Sequence, residues 1–273
     1  MDEKERILEV RSLKKHFEPI KNYTVKAVDG VSFEIKKGEV LGLVGESGCG
    51  KSTVLRTIMG VYPPTEGEIY FKGNQISDKK VFTQKKKEVQ QNMQVIFQDS
   101  AAALNPRMKI EEIIAEPAVV NHIWKGKKQI QKEVGKLLEY VGLDKEVIEK
   151  YPDELSGGQR QRVAIARSIS LKPDLILADE PVASLDVSVQ AQIINLFSHL
   201  KKEHNSAFLF VAHDLAVVRY LCDRIAVMHQ GKIVEMGKTK EIFLNPKEEY
   251  TKELLDAILV PDPIVERKRR RRR

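Results

Sequence analysis

Hydrophobic positions along the chain come in short runs and stripes. Ile7-Leu8-Glu9-Val10 and Val31-Ser32-Phe33-Glu34-Ile35 show the apolar/polar alternation of strands with one covered face. Between them the pattern is irregular, so residues 6–35 predict two or three strands with an insert. Lys36-Lys37-Gly38-Glu39 is a turn into Val40-Leu41-Gly42-Leu43-Val44, an apolar run short enough to be a buried strand. Met93-Gln94-Val95-Ile96-Phe97, Leu175-Ile176-Leu177-Ala178 and Ala207-Phe208-Leu209-Phe210-Val211-Ala212 read the same way. Glu66–Gly73 reads as a hairpin after the Pro63-Pro64 break. Helical spacing appears from Ser52 to Met59, closed by Gly60, and in the lysine-rich stretch 78–91, expected to be a solvated loop and helix. It recurs through Asn105–Tyr151, where Ile110, Ile113 and Ile114 and then Val134, Leu137, Leu138 and Val141 recur at helical intervals, with Trp124 expected to be packing. Further helices are predicted from Leu155 to about Ser170 and from Ser188 to Lys202. Apolar strands alternating with helices predict an α/β fold carrying a helical insertion.

At 273 residues with 42% hydrophobic content the chain can bury a large core in one or two domains. No run approaches the ~18 apolar residues of a membrane span. The start, MDEKER, lacks the apolar region of a signal peptide. The protein is therefore expected to be soluble and to stay in the cytoplasm. Cys49 and Cys222 make neither a disulfide framework nor a cluster site, which fits a reducing compartment. The net charge of +7 equals the seven cationic residues of Arg267–Arg273, so the remainder is balanced. A basic groove for DNA or RNA is not supported, because backbone neutralisation needs clustered cations on the folded surface.

The candidate chemistry centres on Gly45-Glu46-Ser47-Gly48-Cys49-Gly50-Lys51-Ser52-Thr53, which fits G-x-x-x-x-G-K-[ST] between a strand and a helix. Glycines let successive N–H groups turn toward phosphate oxygens at a helix start. Lys51 is expected to reach the β- and γ-phosphates and Ser52 to ligate Mg²⁺. Asp179 and Glu180 follow an apolar strand, the place for a carboxylate that holds the metal (Asp179) and one that orients or deprotonates the attacking water (Glu180). Gln98 and His213 also lie just past strand ends, where ligands of α/β sheets bind; His213 is expected to sense a γ-phosphate. Ser156, in N-cap position, is followed by Gly157, Gly158 and Gln159, which makes a second anion-accepting helix start. Phe17, in a basic stretch, is the candidate for stacking on a purine, with Tyr23 as competitor.

The phosphate loop, Gln98, Leu155-Ser156-Gly157-Gly158-Gln159, the Asp179-Glu180 strand end, Asp186 and His213, in this order, resemble the ATPase subunit of an ABC transporter, from about Leu8 to Asp262. The resemblance implies a P-loop NTPase (RecA-like) core with an N-terminal antiparallel β subdomain and an inserted α-helical subdomain. It implies one ATPase domain over 1–260, with core and β subdomain at about 5–98 and 156–240 and the helical subdomain at about 99–155. A C-terminal extension would cover 241–263 and a disordered basic tail 264–273. It also implies a head-to-tail dimer in which Ser156 and Gly158 of one subunit cover the ATP of the other, with Asp186 communicating across the interface. Gln98 would touch the metal side of the nucleotide, with Ser52 and Asp179, and link it to membrane subunits through the insertion.

Residues 25–32, Leu104–Met108, His213–Ala226 and Asn245-Pro246-Lys247 with Tyr250–Leu255 further resemble oligopeptide and dipeptide importer ATPases, most of all the second, F-type, of the two such systems carry. That implies pairing with a second ATPase or with itself, two transmembrane permease subunits, an extracytoplasmic solute-binding protein, and a peripheral place on the cytoplasmic face of the membrane. The alternatives are an exporter ATPase, which shares the ATP chemistry, and a soluble ABC ATPase. Three departures stand out: Glu248-Glu249 replaces the usual His-Pro before Tyr250, Ala183-Ser184 reverses the usual order, and the C-terminal cysteines of cluster-bearing partners are missing, so no iron–sulfur cluster is expected. The tail Glu266–Arg273 is a solubilising end or a weak attraction to anionic lipid.

Overall fold

The computed structural model describes residues 5–20, 23–99, 103–183 and 185–257. The basic tail and Ser184 of the reversed Ala183-Ser184 pair lie outside the described residues.

Among the described residues ten strands form two sheets. β1 (Arg6–Ile20), β2 (Tyr23–Lys36), β4 (Glu66–Phe71) and β5 (Asn74–Gln75) make an antiparallel sheet in the order β2-β1-β4-β5. β3 (Val40–Val44), β6 (Met93–Ile96), β7 (Leu175–Asp179), β8 (Ala207–Ala212), β9 (Arg224–His229) and β10 (Lys232–Lys238) make the second, in the order β10-β9-β3-β8-β7-β6. It is parallel except for the β9–β10 pair.

The uninterrupted apolar runs follow from burial on both faces, as parallel sheets demand. Leu41 and Leu43, Leu175 and Leu177, and Ala207, Leu209 and Val211 face the antiparallel sheet and helix α1 (Lys51–Ile58). The intervening Val40 and Val44, Ile176 and Ala178, and Phe208, Phe210 and Ala212 face the helical insertion and the helices that follow it. There Phe197, from the helix α6 (Val187–His204), meets Phe208 and Phe210 edge-on at 6.0 and 5.6 Å. Gly42 has no side chain because an added Cβ would lie 2.9 Å from Cys222 Sγ.

The insertion consists of α3 (Ile110–Val120), α4 (Lys127–Tyr140) and two 3-10 turns, and α5 (Gly157–Ile169) follows. Ile110, Ile113, Ile114, Val134, Leu138 and Val141 pack into the same core as the sheet's helical face. Trp124 packs at its margin.

Two expectations from the sequence change. Residues 6–20 and 23–36 are two long paired strands, the smaller of the two numbers expected, and no separate insert divides the paired residues: the irregularity is absorbed by register shifts at five places and a left-handed Ser12 (φ 46). Such bulges add residues to one strand and break the period of two without ending the pairing. The stretch 78–91 is one helix, α2 (Lys79–Asn92), because the Asp78 carboxylate accepts from Lys80 N and Val81 N at 2.8 and 3.0 Å and caps it at once. The hairpin after Pro63-Pro64 turns at Lys72–Gly73 and returns through β5.

Helices α7 (Leu215–Leu221), α8 (Thr239–Leu244) and α9 (Glu249–Asp256) complete the described chain. Among the described residues no helix is long and apolar enough to cross a membrane.

Candidate functional site

The carboxyl ends of β3, β7 and β8 deliver the chemistry-bearing residues to one edge of the parallel sheet. After β3 the loop 45–50 wraps the start of α1. Its backbone needs glycine: Gly45 (φ +151) and Gly50 (φ +108) would each place a Cβ 2.1 Å from a carbonyl, of Met228 and Ala27 respectively. Gly50 is the N-cap of α1 and supplies no side-chain cap, so the first N–H groups of the helix stay open to an anion. Glu46, Ser47 and Gly48 form the exposed rim of the loop, and Cys49 is buried below it.

Lys51 is 4% exposed, and its ammonium lies inside the loop, donating to Gly45 O at 2.7 Å and Glu46 O at 2.8 Å. One residue on, Ser52 Oγ donates to Asp179 Oδ1 at 3.0 Å, across 127 residues of sequence. Asp179 is buried at the end of β7, and burial pushes its carboxyl above the usual range, opposed by the Ser52 hydrogen bond. A buried carboxylate beside a hydroxyl, opening onto a polar cleft, is a hard-oxygen donor set that suits Mg²⁺. That cleft, of about 420 Å³, is lined by Ser52, Arg56, Gln98, Arg167 and Asp179 among others, so Gln98, which follows β6, reaches the same space.

Glu180 turns away from the strand with φ +47, a left-handed conformation that costs a residue with a Cβ. Its N–H donates to Val211 O at 3.0 Å, and its side chain, 17% exposed, points to His213, whose Nδ1 lies 3.2 Å from Glu180 Oε2. The strained turn thus sets the second carboxylate against the histidine that follows β8.

Ser156 caps α5 in a reciprocal box: its Oγ accepts from Gln159 N at 3.3 Å and Gln159 Oε1 accepts from Ser156 N at 2.9 Å. Gly157 is exposed, and a Cβ on it would meet nothing within 4 Å. A Cβ on Gly158 would lie 2.6 Å from Val189 Cγ1 in the first turn of α6. That turn is capped by Asp186, whose Oδ1 accepts from Ser188 Oγ at 2.6 Å and Val189 N at 3.0 Å; both bonds hold its carboxyl below the usual range. The starts of α5 and α6 are therefore in contact. None of these four residues, Ser156 to Gln159, lines the cleft with Ser52 and Asp179.

Phe17 is half-buried in β1 opposite Val25 of β2, two residues before Ala27, whose carbonyl abuts Gly50. Its ring meets Tyr62 edge-on at 5.3 Å, and the Lys15 ammonium lies 4.9 Å from its centroid. Tyr23 is 61% exposed near the hairpin end.

Several neighbours escape a reading of motifs. Tyr62 joins Phe17 only in the fold. Gln190 Nε2 donates to Val182 O and Leu185 O, both at 3.0 Å, and so closes the turn between Glu180 and Asp186. Arg167 of α5 donates to Glu116 of α3 at 2.8 Å while lining the cleft of Gln98. Tyr250 of α9 accepts from Glu46 N at 3.1 Å. Only Tyr250 carried a sequence signal, as part of the C-terminal motif.

Comparison with known proteins places this geometry. The ABC transporter family model matches residues 28–183. The oligopeptide transport ATP-binding protein OppF of Bacillus subtilis is 51% identical over 98% of this chain and 88% of its own length. The dipeptide transport ATP-binding protein DppF of Lactococcus lactis is 44% identical over 98% of this chain and 86% of its own. Among solved structures, a dimeric post-hydrolysis state of the cassette MJ0796 bound to ADP and Pi is similar with a TM-score of 0.75 and 29% identity, covering 85% of this chain and 98% of that one.

Proposed function

Because the chain belongs to the ABC transporter family as an ATP-hydrolysing subunit, we propose that it energises an importer of oligopeptides or dipeptides from the cytoplasmic face of the membrane. The observation that carries the ATP chemistry is the meeting of three strand ends, which sets Lys51, the Ser52–Asp179 pair and the Glu180–His213 pair along one edge. The peptide specificity rests on relatives whose names state oligopeptide or dipeptide transport.

In this reading the open amides at the start of α1 and the Lys51 ammonium bind the phosphates of ATP. Ser52 and Asp179, with Gln98 at the cleft wall, would hold Mg²⁺, which would supply neutralisation of the phosphate charge. Glu180 orients or deprotonates the attacking water, and His213, anchored on Glu180, faces the γ-phosphate. Phe17 packs against the adenine. Ser156 to Gln159 and Asp186 act on the nucleotide of a second ATPase, because their own cleft is not the one they border. That ATPase is a different chain or a second copy of this one. ATP bridging two such surfaces closes the pair, and hydrolysis removes the bridge.

Beside Gln98 an apolar groove of about 430 Å³ runs between α2, β6 and α3, with Phe97 42% and Val120 68% exposed on it. It supports docking of the two permease subunits next to the nucleotide, with a solute-binding protein on the far side. The domain division expected from the sequence is kept in this reading: residues 99–155 are the arm that carries nucleotide state to the membrane, and 241–263 a C-terminal extension.

The test is a pull-down from native membranes with tagged Glu180→Gln protein in Mg-ATP, the co-purifying chains being identified by mass spectrometry. Two multi-span proteins and a solute-binding protein are expected, with a second ATPase if the pair is mixed. Recovery with an exporter-like membrane protein, or with no membrane protein, overturns the importer reading.

A further inference from the structure

The C-terminal helix α9 begins about 200 residues after the phosphate loop, yet it touches it. The backbone N–H of Glu46 donates to the Tyr250 hydroxyl at 3.1 Å. The carbonyl of the same peptide unit, Gly45 O, accepts from Lys51 Nζ at 2.7 Å. One peptide, Gly45–Glu46, is thus held at both polar ends, by lysine on oxygen and by tyrosine on nitrogen. Tyr250 is itself held. Its ring lies on His229 of β9, with centroids 3.9 Å apart and planes 40° from parallel. The segment leading into α9 is seated by Glu235 of β10, whose two oxygens accept from Lys247 N at 2.9 Å and Glu248 N at 3.1 Å.

A peptide that follows glycine turns at little cost, because no Cβ resists the change in dihedral. Turned the other way, Gly45–Glu46 would withdraw its carbonyl from Lys51. With its N–H committed to Tyr250, that rotation breaks a second hydrogen bond as well.

The geometry points to Tyr250 as a positioning residue for ATP binding: by fixing the plane of the Gly45–Glu46 peptide it fixes the carbonyl on which Lys51 rests, and so the place from which the ammonium meets phosphate. This rests on the ATP-binding reading of the loop. Tyr250 acts on the lysine, which holds substrate and transition state alike, so its loss falls on affinity more than on turnover.

Tyr250→Phe removes the hydroxyl and keeps the ring on His229. In the full chain, Kd for Mg-ATP is expected to rise about threefold to tenfold, the range of one neutral hydrogen bond. In the assembled transporter KM rises in step while kcat changes by less than about twofold. The melting temperature of the Phe variant stays that of the wild type. Glu235→Ala, which unseats α9 without touching the loop, raises the same Kd by a smaller factor. Wild-type Kd and KM in Tyr250→Phe overturn the proposal, as does loss of affinity in Tyr250→Ala but not in the Phe variant, which would make the ring a packing group only. A wild-type chain that binds no Mg-ATP at all would instead sink the ATP reading on which the proposal stands.

Discussion

Glu180 and Lys51 are asked for different things, and substitution separates them. Glu180→Gln keeps the size and the left-handed turn but removes the proposed base, so ATP binding should survive while turnover falls by about 10²- to 10⁴-fold, the usual worth of general-base catalysis. Near-normal phosphate release by this variant would assign the water to another group. Lys51→Ala removes the proposed charge-assisted contact to phosphate, worth about 1.5–3 kcal/mol, so Mg-ATP affinity itself should fall roughly tenfold to a hundredfold. Equal Kd values for Lys51→Ala and wild type, by calorimetry, would deny it that role. The loop residues and Asp179 were legible in sequence because their chemistry is local: a spacing of glycines, or a carboxylate ending an apolar run. Gln190, Arg167 and Tyr62 were not, since each matters through a partner chosen by folding: two carbonyls of a turn, Glu116 on another helix, and Phe17 on strand β1. The pair Ser52–Asp179 was foreseen as two ends of one metal site, but the hydrogen bond across 127 residues is a property of the sheet.

At the scale of elements, legibility followed burial. β3, β7 and β8 are buried at every position, so their apolar runs announce them. β1 and β2 carry exposed, charged residues and bulges, so alternation shows only at Ile7–Val10 and Val31–Ile35 and the length of the strands does not show at all. α9 is legible only as part of the C-terminal motif and not as a helix, and what seats it is a carboxylate on β10. Burial pushes Glu235 up, but the hydrogen bonds from the amides of Lys247 and Glu248 hold its carboxyl below the usual 4.5. A carboxyl with a lowered folded pKa contributes stability that is fully present above the unfolded value and is lost as pH falls through the folded one. The difference in melting temperature between wild type and Glu235→Gln should therefore be largest at neutral pH and should close as pH drops below about 4.5. A pH-independent difference, measured by thermal scans from pH 7 to pH 3, would mean that the two amides do not depend on the charge.

At the scale of the whole molecule, the loop around Lys51 and the α5 start at Ser156 to Gln159 beside Asp186 are separate: none of the latter lines the cleft of Ser52 and Asp179. A second ATPase supplies the missing half in the proposed function, and Gly157 gives a clean way to ask. It is exposed, lacks the positive φ that favours glycine, and a Cβ there meets nothing within this chain. An acidic residue in the first turn of a helix is if anything stabilising, by about 0.3–1 kcal/mol. Gly157→Asp should thus leave the melting temperature equal or higher and leave Mg-ATP binding at the Lys51 loop intact. Across a dimer interface the same carboxylate would face the partner's nucleotide phosphates, like charge on like charge, with water excluded. Placed in the Glu180→Gln background, it should abolish the Mg-ATP-dependent rise in mass seen by light scattering, or the capture of the second ATPase if the natural pair is mixed. Retention of the closed pair with Asp at 157 would mean that the α5 start does not cover ATP, and the half-sites would have to be joined in some other way.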